Sequence, residues 1–224
     1  MARHASPTDD PHWRQLYEVT RSDAAADAQR CLSGGTTPHL AHDLVAASVA
    51  RLEKTIAADP KPPVRACRRG CGWCCHQPVF LTAPEAVVLI AHLRSTWNNE
   101  QLNHLRSVLA ARAAERRAQV EDRTLLATGL PCVFLDEDNA CTVHSARPLT
   151  CRGITSSSAQ ACAERYVDPT AAPPPIDPHG HTAARAVVHG LSAALTGAGL
   201  AGGMGELNAL LVQLLPNDGN PASA

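Results

Sequence analysis

Aromatic residues make up only 3% of this 224-residue sequence. A core so poor in rings must be built from Leu, Val, Ile and Ala. That suits packed helices and argues against a β-sandwich, which draws on aromatic and β-branched residues. Lysine is almost missing: Lys54 and Lys61 are the only two, and every other basic side chain is Arg. One reading of that bias is a compositional habit; the other is that Arg, with its fixed charge and planar donors, balances a thiolate-rich site. Neither sign of charge is in excess, the formal net value being −1, so nothing invites nucleic acid or an anionic membrane as partner. No apolar run approaches the roughly 18–20 residues that span a bilayer. The stretch Met1 to Asp10 is polar and lacks the apolar core of a secretory signal. The expectation is a cytoplasmic protein. Phosphate-binding Gly-rich loops, G-x-S-x-G and H-E-x-x-H are absent as well.

Cysteine is what the sequence has in quantity, with nine residues. In a reducing compartment these are not expected to pair as disulfides, and their clustering points to metal or redox chemistry. The first group is Cys67-x3-Cys71-x2-Cys74-Cys75. Thiolates with two or three residues between them reach one ion from a single tight turn, and Gly70 and Gly72 are expected to supply permissive dihedrals for it. Adjacent residues normally point apart, so one of Cys74 and Cys75 reaches a second centre or the core. The second group is Cys132, Cys141 and Cys151, with Cys162 beyond. Two loops too sparse to fold alone are what a shared metal would join, and structural zinc contributes on the order of 10 kcal/mol in small domains. Cys31, isolated in a helical stretch, reads as a buried thiol. His144 and His76 lie in or beside the groups and read first as polar neighbours, second as ligands. His179 and His181 read as polar loop residues.

Two sub-motifs admit other chemistry. Cys71-Gly72-Trp73-Cys74 has the dithiol spacing of thioredoxin-like sites, but no βαβ pattern surrounds it. Cys67-x3-Cys71-x2-Cys74 has the spacing that holds a [4Fe–4S] cluster in radical S-adenosylmethionine enzymes, which need repeated βα units that this chain does not offer.

Along the chain, Asp10-Pro11 marks a helix start, with a helix to about residue 31. A second helix spans about 40–58 on Val45, Val49, Leu52 and Ile56. Thr82-Ala83-Pro84-Glu85 reads as a capping box before a helix through Val87, Ile90 and Trp97. A long charged helix follows over about 100–126; its apolar face (Leu102, Leu105, Leu109) fades into Arg and Glu and reads as solvated. Val133-Phe134-Leu135 and Thr142-Val143-His144 flank an acidic turn and predict a short β-hairpin. A Pro-rich loop over 168–181 and two C-terminal helices complete the pattern. The expected fold is mainly α: a small helical domain with a short β-hairpin and cysteine-bearing loops around a metal site. Its expected parts are an N-terminal helical extension (1–63), a cysteine-cluster metal-binding domain (64–165), a Pro-rich loop with helices packing on that domain (166–215) and a disordered tail (216–224).

The run Cys67-x3-Cys71-x2-Cys74-Cys75, then Pro131-Cys132-Val133-Phe134-Leu135, then Cys141-Thr142-Val143-His144-Ser145-Ala146-Arg147-Pro148-Leu149-Thr150-Cys151-Arg152, resembles the YkgJ-type cysteine-cluster family, named for zinc or iron chelation. The resemblance spans roughly residues 64–165. It implies Cys67, Cys71, Cys74, Cys75, Cys132, Cys141 and Cys151 as metal-site residues, to which the clustering adds Cys162. It also implies Arg147 and Arg152 as groups that balance thiolate charge behind the ligands, with Pro148 stiffening the turn before Cys151. The expected cofactor is zinc or an iron–sulfur cluster, in one centre or two, and the expected partner is the metal ion itself. The first functional reading is a metal-binding protein with a structural, sensing or storage role. The second, implied by a methylase that carries the same motif with an iron–sulfur cluster, is a group-transfer enzyme acting on a protein. The third is a thiol–disulfide oxidoreductase.

Overall fold

A computed structural model describes residues 10–121 and 129–215. In chain order the elements are α1 (Pro11–Ser33), α2 (Leu40–Ala57), β1 (Phe80–Thr82), α3 (Ala83–Thr96), α4 (Asn99–Glu121), α5 (Leu149–Gly153), α6 (Ala159–Val167), α7 (Pro178–Gly197), β2 (Met204–Glu206) and α8 (Leu207–Leu214). The fold is mainly α, with a two-stranded antiparallel ribbon. The expected end of the charged helix near residue 126 and the tail from 216 lie outside the described residues. The chain forms two compact units, each assembled from separate stretches.

The first unit comprises Met1–Arg65, Pro148–Ser157 and Ile176–Gly203. Asp10 caps α1 by accepting the His12 N–H at 2.8 Å, with Pro11 at a first-turn position where its missing N–H costs nothing. α1, α2, α5 and α7 pack around a core of Ala24, Ala28, Leu44, Leu52, Leu149, Val187, Leu191 and Leu195. Small residues set the spacing. A Cβ on Gly190 of α7 would stand 2.4 Å from the Arg21 carbonyl oxygen and 2.8 Å from the Ala24 Cβ, so α1 and α7 approach backbone to backbone. Arg51 of α2 fastens α1 through Asp27 (2.7 Å) and Asp23 (2.8 Å). The hydrogen bond from Arg51 holds the Asp27 carboxyl below its ordinary range.

α7 begins earlier than the Pro-rich composition suggests. Asp177 accepts the N–H groups of His179 (3.0 Å) and Gly180 (3.1 Å), and Pro178 occupies the first turn. His179 is accordingly a buried helical residue rather than a loop residue, and its Nε2 pairs with the Thr55 carbonyl at 2.9 Å.

The second unit comprises Ala66–Arg147, Ser158–Pro175 and Met204–Ala224. The side chains of Ala86, Leu89, Ile90 and Leu93 from α3, Leu102, Leu105 and Leu109 from α4, and Leu207 and Leu211 from α8 fill its core together with Phe134 and Val143. The Glu85 carboxylate accepts both the N–H and the hydroxyl of Thr82 at 2.8 Å, the expected start of α3. The ribbon pairs Phe80 with Glu206, Leu81 with Gly205 and Thr82 with Met204. Glu206 then caps α8 through the Asn208 and Ala209 N–H groups. The turn expected as a hairpin is a minimal one, a single antiparallel bridge between Leu135 and Cys141. No helix among the described residues is long and apolar enough to cross a membrane.

Candidate metal centre

The first cysteine group forms two consecutive turns. Cys71 N–H donates to the Arg68 carbonyl at 3.0 Å, a bend that Gly70 makes with a φ of +83°, in the left-handed region that favours glycine. A 3-10 turn, Trp73–His76, follows and carries Cys74 and Cys75. Gly72 has an ordinary φ of −96°, so it is not the dihedral that calls for glycine there. Space does: a Cβ on Gly72 would lie 3.0 Å from Leu135 Cδ1 and 3.3 Å from the Asn139 carbonyl oxygen. The first loop therefore rests directly on the turn that joins Cys132 to Cys141.

That turn is built by Asp136, whose carboxylate accepts the Ala140 N–H at 2.7 Å, while Thr142 N–H donates to the Phe134 carbonyl at 2.9 Å. Phe134 and Val143 anchor it in the core. A backbone bond then ties the two groups together: Cys132 N–H donates to the Cys75 carbonyl at 2.7 Å.

A local device recurs at three of the sulfurs. The backbone N–H of Trp73 favours the Cys71 thiolate, that of Phe134 the Cys132 thiolate and that of Val143 the Cys141 thiolate. The amide always lies two residues on, and its own side chain is bulky and apolar. Burial works the other way and dominates. It raises the Cys71 and Cys141 thiols and pushes Cys132 up to about 11. Cys74 is also raised, first by its hydrogen bond with Cys75 and then by crowding of its sulfur, although the residue as a whole has an open surface.

Thiols of the second unit bear on one another electrostatically: Cys67, Cys74 and Cys162 on Cys71, Cys74 on Cys141, and Cys141 on Cys132. Cys67 and Cys74 are exposed, and Cys71, Cys75, Cys132, Cys141 and Cys162 are half-buried. Arg147 pairs with His144 Nε2 at 2.9 Å, and its charge acts on Cys74 and Cys141. Cys162 lies on α6, one turn before Tyr166. Residues four apart share a helix face, and the Tyr166 ring packs on His76 (4.5 Å between centroids) and Trp73 (5.4 Å), so α6 is held against the first cysteine turn.

Cys151 and Arg152 lie on α5, in the first unit, where Cys151 is half-buried. Cys31, on α1, packs against the first unit's core, with burial raising its thiol.

The donor set fits a thiophilic ion. Soft thiolates select zinc and iron–sulfur centres, and N–H groups aimed at sulfur are the outer contacts that such ligands use. Among the described residues, no three His, Cys, Asp or Glu side chains already converge as a metal cage.

Arg116 was not legible as part of this region. The charged half of α4, expected to be solvated, turns Arg116 inward to 2% exposure. The signal was present: Leu102, Leu105, Leu109, Ala113 and Arg116 continue one stripe at three- and four-residue steps. The spacing Cys-x-(bulky apolar), repeated at Cys71, Cys132 and Cys141, was a second unread signal.

Fold and site together define a helical protein with a thiol-rich centre built on paired loops. Residues 66–168, a little under half of the chain, match the CxxCxxCC family model, described as a "putative zinc- or iron-chelating domain". That stretch is similar to a family whose description names metal chelation, and the similarity supports binding of metal through cysteines in general terms. Comparison with curated proteins and with solved structures yields no match.

Proposed function

We propose that the thiols of the second unit, Cys67, Cys71, Cys74, Cys75, Cys132, Cys141 and Cys162, supply the ligands of a zinc or iron–sulfur centre. The observation that carries this reading is the Cys132–Cys75 backbone bond, 2.7 Å long, which joins the two cysteine-bearing loops. Arg147, acting on Cys74 and Cys141, offsets the charge that several thiolates accumulate. The ion would neutralise that charge and cross-link the loops. Because the donors do not yet converge, ligation entails a local closing of the loops and contributes to the stability of the unit.

The biological role that fits best is sensing or storage in the cytoplasm. Cys67 is exposed, so an ion has a route in and out, which a purely structural site does not require. Thiol–disulfide exchange fits less well. It needs a lowered thiol pKa, and the Cys71 and Cys74 thiols are both raised.

The test is metal analysis with a visible spectrum on protein purified without air and without a metal-affinity tag. Zinc in a colourless protein supports a closed or sensing site. Iron with inorganic sulfide and a broad absorbance near roughly 400 nm means a cluster, and methyl-donor binding then tests the group-transfer alternative. A protein free of metal under these conditions, and unable to take up either one, overturns the reading.

A further inference from the structure

Helix α4 carries a charge where its own periodicity calls for an apolar residue. Arg116 continues the stripe of Leu102, Leu105 and Leu109 and is 2% exposed. A guanidinium is costly to bury unless its donors are used, and a Leu or Met would fill the same volume without that cost. The donors are used on backbone. Nη1 donates to the His76 carbonyl at 3.0 Å, and Nη2 donates to the Leu130 carbonyl at 2.6 Å.

The two acceptors identify what the charge holds. His76 directly follows Cys74 and Cys75, and Leu130 precedes Pro131 and Cys132. One rigid, planar fork therefore fixes the exit of the first cysteine loop and the entry of the second at a set separation. The Cys132 N–H to Cys75 carbonyl bond, 2.7 Å long, lies one residue before the first anchor and two after the second. It depends on the register that the fork imposes.

We propose that Arg116 is a positioning residue, a clasp on α4 that holds the two cysteine loops in register so that thiols from both serve one centre. The proposal rests on the metal-binding reading above for its function, though not for its geometry. It assigns to a residue outside both cysteine groups the task of making two half-sites into one. The carbonyl on each loop loses a charged donor when the fork is removed, and the loops are then free to separate.

Cobalt(II) is the probe, titrated into the full chain without air, with Arg116→Met, Arg116→Lys and Leu109→Ala as variants. Leu109→Ala opens a cavity on the same helix without touching either carbonyl, so it reports destabilisation alone. Arg116→Met is expected to bind cobalt at least about tenfold more weakly, the factor that one charge-assisted hydrogen bond corresponds to. Its sulfur-to-cobalt absorbance per bound ion falls too, because thiolates of only one loop remain as ligands. Arg116→Lys keeps the charge without the fork and falls between. Leu109→Ala melts lower yet keeps affinity and absorbance. Wild-type cobalt behaviour in Arg116→Met overturns the clasp, as does an equal loss in Leu109→Ala. Should Arg116→Met not fold, Arg116→Lys decides, and wild-type affinity in that variant overturns the proposal. If the wild-type chain takes up no cobalt, it is the metal-binding reading that fails. The clasp is then judged on metal-free protein by mild oxidation and peptide mapping. Disulfides joining the 67–75 loop to the 132–141 loop form in wild type and in Leu109→Ala and drop in Arg116→Met; equal yields overturn it.

Discussion

Gly153 closes α5, the short helix that presents Cys151 and Arg152, and it does so against α7. A Cβ added there would stand 2.3 Å from the Ala184 Cβ and 2.6 Å from the Gly180 carbonyl oxygen. Both are about 1 Å inside ordinary van der Waals contact, and both belong to a helix backbone or its first side-chain atom, which no rotamer change can move. Gly153→Ala must therefore push α5 off α7. Overpacking of this kind costs typically about 1–3 kcal/mol. The opposing term is the smaller entropy of an unfolded chain with Ala in place of Gly, about 0.4–1 kcal/mol in favour of the variant. Packing wins, with a net loss of about 1–2 kcal/mol, or roughly 2–8 °C in melting temperature for a chain of this size. Gly197→Ala is the matched control. It lies at the last position of α7, has no neighbour within 4 Å of an added Cβ and has no positive φ, so it keeps only the entropic gain. The assay is thermal unfolding followed by circular dichroism on both variants. Shifts of opposite sign are expected. A Gly153→Ala protein as stable as Gly197→Ala would refute the reasoning that a backbone-to-backbone approach seats α5.

Three more outcomes follow from the same structure. Cys71→Ser and Cys141→Ser each lower bound metal severalfold by elemental analysis, while Cys31→Ser, a packing change on α1, leaves it at the wild-type level; a wild-type metal content in both of the first two would separate these thiols from the site. The thiols of Cys71, Cys132 and Cys141 are raised, so at neutral pH they bind metal only by releasing protons. Metal affinity accordingly weakens as pH falls, and calorimetry in buffers of different ionisation enthalpy reads one proton for each protonated thiol that becomes a ligand; no proton release would mean that these thiols are not ligands. In the first unit, Asp27 has a folded-state pKa held below its unfolded value by Arg51. Its contribution to stability is present above about pH 4, the unfolded range, and is lost as pH falls through the lower folded value. Asp27→Asn should flatten the acid limb of the stability–pH curve, and an unchanged limb would show that the pair is not coupled to folding.

Several elements were readable from local sequence because local chemistry makes them. Asp10-Pro11 starts α1 through a side-chain cap and a proline that needs no partner, and Glu85 reaches back to Thr82 as its spacing from that residue requires. The turn at 136–140 follows from an Asp that bonds its own backbone. Other elements were not readable. β1 and β2 have three residues each and meet across more than 120 residues of chain, so neither shows a period of its own. α5 and α6 are too short to display an apolar stripe, and α7 starts inside a Pro-rich run because Asp177 and Pro178 act as a cap rather than as a loop.

The site divides along the same line. Spacing alone made Cys67, Cys71, Cys74 and Cys75 a group, because thiols two to four residues apart share a turn whatever surrounds them. The chain by itself likewise determined a helical fold, through its shortage of rings and its stripes of Leu and Ala, and a thiol-rich domain, through motifs that recur at close range. Only the tertiary structure decided that the Cys132 amide meets the Cys75 carbonyl, that Gly72 is required for proximity rather than for its dihedral, and that a charged residue on α4 turns inward to hold both loops. The physical reason is range. Turns and caps are set by groups within about four residues of one another, whereas the partner of a buried charge is chosen by packing among segments that the sequence keeps far apart.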